Sequence, residues 1–261
     1  MKKAAIFNGL ILGLLSACAT TGGGGSQGEQ QFEDTANPYK PHKLSTINAQ
    51  LGIAYMQRGD YQIAMQKLQK AVEQDDQNPE AHTGLALLYG RLGQTGLIAR
   101  HYERALQLEP NNSSTHNNYA SFLCQQGNVP EAEAHFQQAL ENPLYKTPEL
   151  AYTNAGLCAL RSQRQTDAER YFRKALEADA RFPVALYQLA DIHVQRNESV
   201  EAQALYARYL AVAPQTPQTL WLGVRIAAQT GDKNAAASYA LLLRSKFPEA
   251  EETQLLKTVD F

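Results

Sequence analysis

NNYASFLCQQGNVPEAEAHFQQAL, residues 117–140, places Gly127-Asn128 between two stretches of helical spacing. Ala132, Phe136 and Ala139 follow i, i+4, i+7, one face of a helix. The same pattern recurs along the chain. A column of small residues reads Gly52, Ala86, Ala120, Gly156, Ala190 and finally Val224, with steps of 34 residues and one of 36. Twelve residues later comes Ala64, Ile98, Ala132, Ala168, Ala202, Ala236, and seven beyond that Ala71, Ala105, Ala139, Ala175, Tyr209, Leu243. A bulky column lies between these two: Leu68, Tyr102, Phe136, Phe172, Tyr206, then Ala240. Each period is two helices joined by a turn. The first helix needs a small residue where its backbone meets the second, and the second needs a large side chain to fill the space between. One such pair cannot cover its own apolar stripe, so successive pairs must stack.

Composition agrees, since Ala, Gln, Leu and Glu dominate and β-branched residues are sparse. Turn residues fall between the two helices at Gly59-Asp60, Gly93, Gly127-Asn128, Asn197 and Gly231-Asp232. The period and its columns resemble the tetratricopeptide repeat, a 34-residue helix-turn-helix unit. The resemblance implies an all-α fold, a right-handed α-solenoid of six units over residues 45–249. The two surplus residues predict a longer turn near Asn142–Pro148. Gln163, where a turn glycine is common, and Ala240, where a bulky plug is common, depart from the pattern. Residues 250–261 are expected to form a capping tail over the last unit.

The N-terminus carries a different signal. Lys2 and Lys3 precede an apolar run from Ala4 to Leu15, then Ser16, Ala17 and Cys18. This is the layout of a secretory signal peptide, and the run is shorter than the roughly 20 residues a membrane span needs. Leu15-Ser16-Ala17-Cys18 resembles the bacterial lipobox. The resemblance implies removal of residues 1–17 and a membrane anchor through lipid on Cys18; the alternative is an ordinary signal peptide with a chance cysteine. Residues 18–44, which include Gly22–Gly25, read as a flexible tether. Ala19 stands where aspartate marks inner-membrane retention in enteric-type lipoproteins, so the expected address is the outer membrane, facing the periplasm.

With Cys18 assigned to lipid, Cys124 and Cys158 remain. In an oxidising periplasm two cysteines suggest one disulfide; two separate buried thiols are the alternative. Both lie near the middle of the first helices of adjacent units, which pack side by side, and a bridge would staple units three and four across the insertion. The formal charge of −2 and the lack of a basic run in the body argue against nucleic acid as a partner. No HExxH, GxSxG or phosphate-cradling glycine loop occurs, and the six histidines show no metal-ligand spacing with the cysteines. The chain is therefore expected to be no enzyme, with no metal and no cofactor. Asn112 and Asn197 precede x-Ser but fall in turns, where they read as turn chemistry.

The first helices of such units line a concave face. Positions around the small column place Ile53 and Met56 there in the first unit, Leu87 in the second, Asn117, Ser121 and Cys124 in the third, and Thr153, Leu157 and Leu160 in the fourth. Ile53, Met56, Leu87, Leu157 and Leu160 are the candidate protein-binding residues, since an apolar groove suits an amphipathic helix or an extended peptide. The alternative is that neighbouring helices, or residues 32–44, partly bury them. The lipobox, the glycine-rich tether, six units, the cysteine pair in units three and four, and the phrases Gly127–Ala132 and Asn154–Cys158 are together similar to the type IV pilus pilotin family, PilF/PilW. That resemblance implies a non-enzymatic lipoprotein whose partner is the outer-membrane secretin of the pilus, and which promotes secretin localisation and multimerisation. A repeat scaffold for β-barrel assembly or cell-wall hydrolases shares anchor and fold and is the rival reading.

Overall fold

A computed structural model describes residues 39–258, with side chains from His42 to Lys257. Residues 1–38, and with them the signal peptide, Cys18 and most of the tether, lie outside the described residues. The described residues form six helix pairs and a closing helix. The first helices are α1 (Tyr39–Arg58), α3 (Pro79–Arg91), α5 (Ser113–Gln125), α7 (Pro148–Arg161), α9 (Pro183–Gln195) and α11 (Pro217–Thr230). Their partners are α2 (Tyr61–Gln74), α4 (Ile98–Leu108), α6 (Val129–Glu141), α8 (Gln165–Ala178), α10 (Ser199–Leu210) and α12 (Lys233–Lys246), followed by α13 (Glu251–Leu255). The pairs stack in chain order as an α-solenoid of tetratricopeptide units, with each first helix packed on its partner and each second helix packed on the next first helix.

The columns explain the packing. Every member of the small, plug and flanking columns is buried. A Cβ placed on Gly156 would sit 2.6 Å from Cε1 of Phe172, and one on Gly52 would sit 2.5 Å from Cγ of Leu68. The plug therefore requires the missing side chain opposite it. Unit six reverses the sizes, with Val224 facing the small Ala240.

Local chemistry sets the helix ends. Asn78, Asn112, Thr216 and Asp232 accept a hydrogen bond from a backbone N–H of the following first turn. Pro79, Pro148, Pro183 and Pro217 open their helices, where the missing N–H has no helical acceptor to lose. Gly59, Gly93, Gly127 and Gly231 all have positive φ at one register position. Gln163 and Asn197 hold that position in units four and five, with φ of 60° and 59°.

One boundary differs from expectation. Helix α1 starts at Tyr39, so residues 39–44, assigned above to the tether, are helical. Pro41 falls in the first turn of that helix, where proline breaks no intrahelical bond. Ser45 is wholly buried and donates to the carbonyl of Ala71 at 2.7 Å, tying α1 to α2. At the other end, α13 packs on α11 and α12, and Leu256 is buried against Leu220, Val224 and Leu243.

The two surplus residues lie in the link between α6 and α7, residues 142–147. Across that link, Cys124 of α5 and Cys158 of α7 form a disulfide with their Cα atoms 5.8 Å apart. No helix among the described residues is long and apolar enough to cross a membrane.

Candidate protein-binding face

The candidate residues divide into three environments. Ile53, Met56 and Leu87 are half-buried and pack on the core shared by units one to four. Leu68 fills the space that Gly84 leaves open on α3, and Ile53 lies beside it. Leu87 lines a shallow depression with Gly90, Arg91, Thr95, Ser121 and Phe122, between the second and third units. Leu160 is half-buried in a different cluster, beside Phe172 and Leu189. Leu157 is the exposed one, at 37%. It borders a small depression over the disulfide together with Ser121, Gln125, Asn154 and Arg161. The five residues thus do not line one continuous depression.

Two apolar residues missed by the sequence reading extend the exposed patch. Leu150 precedes Leu157 by seven residues, two helical turns, and so shares its face. Val184 holds the position equivalent to Leu150 in the fifth unit, and both are exposed. The signal was present in the sequence: a 34-residue step between two apolar residues in the first turns of α7 and α9.

Polar side chains on this side hold the first helices to one another. The Thr83 and Thr115 hydroxyls lie 3.1 Å apart, joining α3 to α5. Asn154 donates to Asn117 Oδ1 at 3.0 Å, joining α5 to α7. Arg225 donates to Asp191 at 2.6 Å, joining α9 to α11. Asn117, Cys124 and Thr153, placed on the concave face by register alone, are buried in these seams.

A second repeated polar feature lies between paired helices. His82 and His101 approach through their Nδ1 atoms at 3.0 Å, and His116 and His135 do so at 2.8 Å, 34 residues further on. The Nε2 of His82 and of His116 faces the carbonyl of Asp76 and of Pro110. Burial lowers the pKa of His82. Burial, then His82 and Arg100, pushes His101 down to about 4, and burial followed by His116 lowers His135. In the first pair the Nε2–H of His82 donates to the Asp76 carbonyl, so its Nδ1 accepts from the Nδ1–H of a neutral His101. Among the described residues no group of three or more His, Cys, Asp or Glu side chains converges to hold a metal.

Comparison with known proteins follows the same lines. Models of the tetratricopeptide repeat match residues 52–93, 112–181 and 159–223. The type IV pilus assembly protein PilF of Pseudomonas aeruginosa is 31% identical over 205 residues, covering 78% of this chain and 81% of that one. A solved structure of P. aeruginosa PilF superposes with a TM-score of 0.78 at 30% identity, over 84% of this chain and 99% of that one. The crystal structure of PilW, described as a widely conserved type IV pilus biogenesis factor, gives 0.75 at 31% identity, over 82% and 99%. Human protein O-mannosyl-transferase TMTC3 is 27% identical over 173 residues, but these make up 19% of its length, so its transferase activity does not carry over. The chain belongs to the PilF/PilW family of tetratricopeptide repeat proteins of type IV pilus biogenesis.

Proposed function

We propose that this protein is a pilotin: a non-catalytic lipoprotein of the outer membrane, facing the periplasm, that promotes localisation and multimerisation of the type IV pilus secretin. The observation that carries this reading is similarity to PilF across 78% of the chain. The Leu15-Ser16-Ala17-Cys18 signal supports the anchor. The apolar residues on the first helices, Leu87 beside Phe122 and Leu157 near Leu150, supply surface for one segment of a client. The mechanism is one of concentration. A client held on an anchored solenoid meets other subunits at the membrane surface at the high local concentration that tethering supplies. No step needs a cofactor or a reacting side chain.

Deleting the gene and probing membranes for heat-stable secretin rings tests the proposal. Loss of rings with secretin subunits still present is the expected outcome. Normal rings and surface pili would refute it and favour a scaffold for β-barrel assembly or cell-wall hydrolases.

A further inference from the structure

The two ends of the solenoid are finished differently. At the C-terminal end α13 covers the last unit and buries Leu256. At the N-terminal end, among the described residues, nothing covers the outer face of α1. Leu44, Ile47 and Leu51 form a stripe at i, i+3, i+7 and are 43%, 44% and 41% exposed. In later units the equivalent positions are covered by the preceding unit. Ala81, Ala151 and Ala185 correspond to Ile47 and are fully buried, and Leu85, Tyr119 and Leu189 correspond to Leu51 and are nearly so. A solenoid end that meets water is normally polar. This one keeps the apolar character of an interior position.

Charge indicates what it meets. Helix α1 contains no Asp or Glu in its 20 residues. Exposed Lys43 lies beside Leu44, and exposed Arg58 continues the Leu44–Leu51 face two turns further on. Lys40, Lys43 and Arg58 give α1 three positive charges and no negative one, in a chain of net charge −2. Helix α1 is thus cationic along the end of the solenoid that it forms. Two copies meeting through α1 would bring like charges together. An anionic lipid surface would accept the apolar stripe at the headgroup boundary and the cations at the phosphates. Only residues 19–38 separate this unit from Cys18.

We infer that the outer face of α1 seats on anionic lipid, so that the solenoid stands on its first unit at the membrane. The inference rests on the proposal that lipid on Cys18 brings the chain to a bilayer. Seating fixes which way the client face points, a task that a lipid tether alone does not perform.

The test imposes the anchor, so it does not depend on lipidation in cells. Residues 18–261 carrying Cys18→Ser and an N-terminal histidine tag are held on nickel-chelating lipid in vesicles of phosphatidylcholine, with or without phosphatidylglycerol. A small fluorophore is attached at Ile47→Cys or, as control, at Val200→Cys, an exposed site on α10. Quenching by the neutral, water-soluble quencher acrylamide is then measured. The expected result is a severalfold fall in quenching at position 47 on phosphatidylglycerol vesicles, no change at position 200, and loss of the effect in Lys43→Glu/Arg58→Glu. Unchanged quenching at position 47 on phosphatidylglycerol vesicles would overturn the inference. So would shielding of position 47 before vesicles are added, which would assign the face to a second copy or to upstream residues. Fractionation of cells carrying Cys18→Ser tests the anchor itself, so the two failures are distinguishable.

Discussion

Gln163 holds a left-handed backbone, φ 60°, at the register position where four other units place glycine. An L-residue with a Cβ is disfavoured there by about 1–2 kcal/mol, part of which glycine returns as entropy of the unfolded chain. Gln163→Gly is therefore predicted to stabilise the protein by roughly 0.5–1 kcal/mol, seen as a rise in thermal midpoint. The opposite holds at Gly156. Alanine there places its Cβ against the ring of Phe172 within a full core, and Gly156→Ala should cost about 1–3 kcal/mol in chemical denaturation. Both positions were legible in the sequence, because a 34-residue step marks them. The size exchange between Val224 and Ala240 was visible only as a departure. Its reason, that the two residues face each other, needed the packing.

At the scale of elements, the disulfide between α5 and α7 closes a loop of 34 residues. Cross-links of that span stabilise by roughly 2–4 kcal/mol, mainly through the unfolded chain. Cys124→Ala/Cys158→Ala should lower stability by that amount, and reduction of the wild-type protein should produce the same loss. The histidine pairs between paired helices predict a pH response. His82, His101 and His135 have folded pKa values below the ordinary histidine value, His101 at about 4. The unfolded chain takes up those protons first, so the stability they confer is complete above about pH 6.5 and is lost as pH falls towards 4. Asp75, held down by its bond to His42, and Glu169, raised by burial but lowered more by its bonds to Arg196 and Arg173, sit below their ordinary carboxylate values. A thermal midpoint that drops by several degrees between about pH 6.5 and pH 5, and drops less in His101→Gln/His135→Gln, is the expected result. The sequence showed helix pairs and their turns, but not where α1 begins. Tyr39–Lys43 has no apolar periodicity and contains Pro41, so it reads as linker. The burial of Ser45 against α2 and the bond of His42 to Asp75 give that turn a reason to be helical.

For the whole molecule, the fold was legible because six units repeat one set of constraints, and a register error in one would break the others. The client face was less so. Register places a residue on a helix face but does not say whether the neighbouring helix covers it: Asn117, Cys124 and Thr153 are buried in seams, whereas Leu150 and Val184 stand exposed. On the proposed reading, the exposed patch around Leu157 and the depression beside Leu87 hold the secretin segment. Complementation tests this most directly. A strain lacking the gene is supplied with the wild-type chain or with Leu87→Glu/Leu157→Glu, each shown to be folded by its thermal transition and present in the membrane fraction. Heat-stable secretin rings are then measured. The account predicts rings restored by the wild-type chain and reduced at least about tenfold by the variant, the effect of losing about 1.4 kcal/mol of client binding. Full restoration by the folded variant would contradict it.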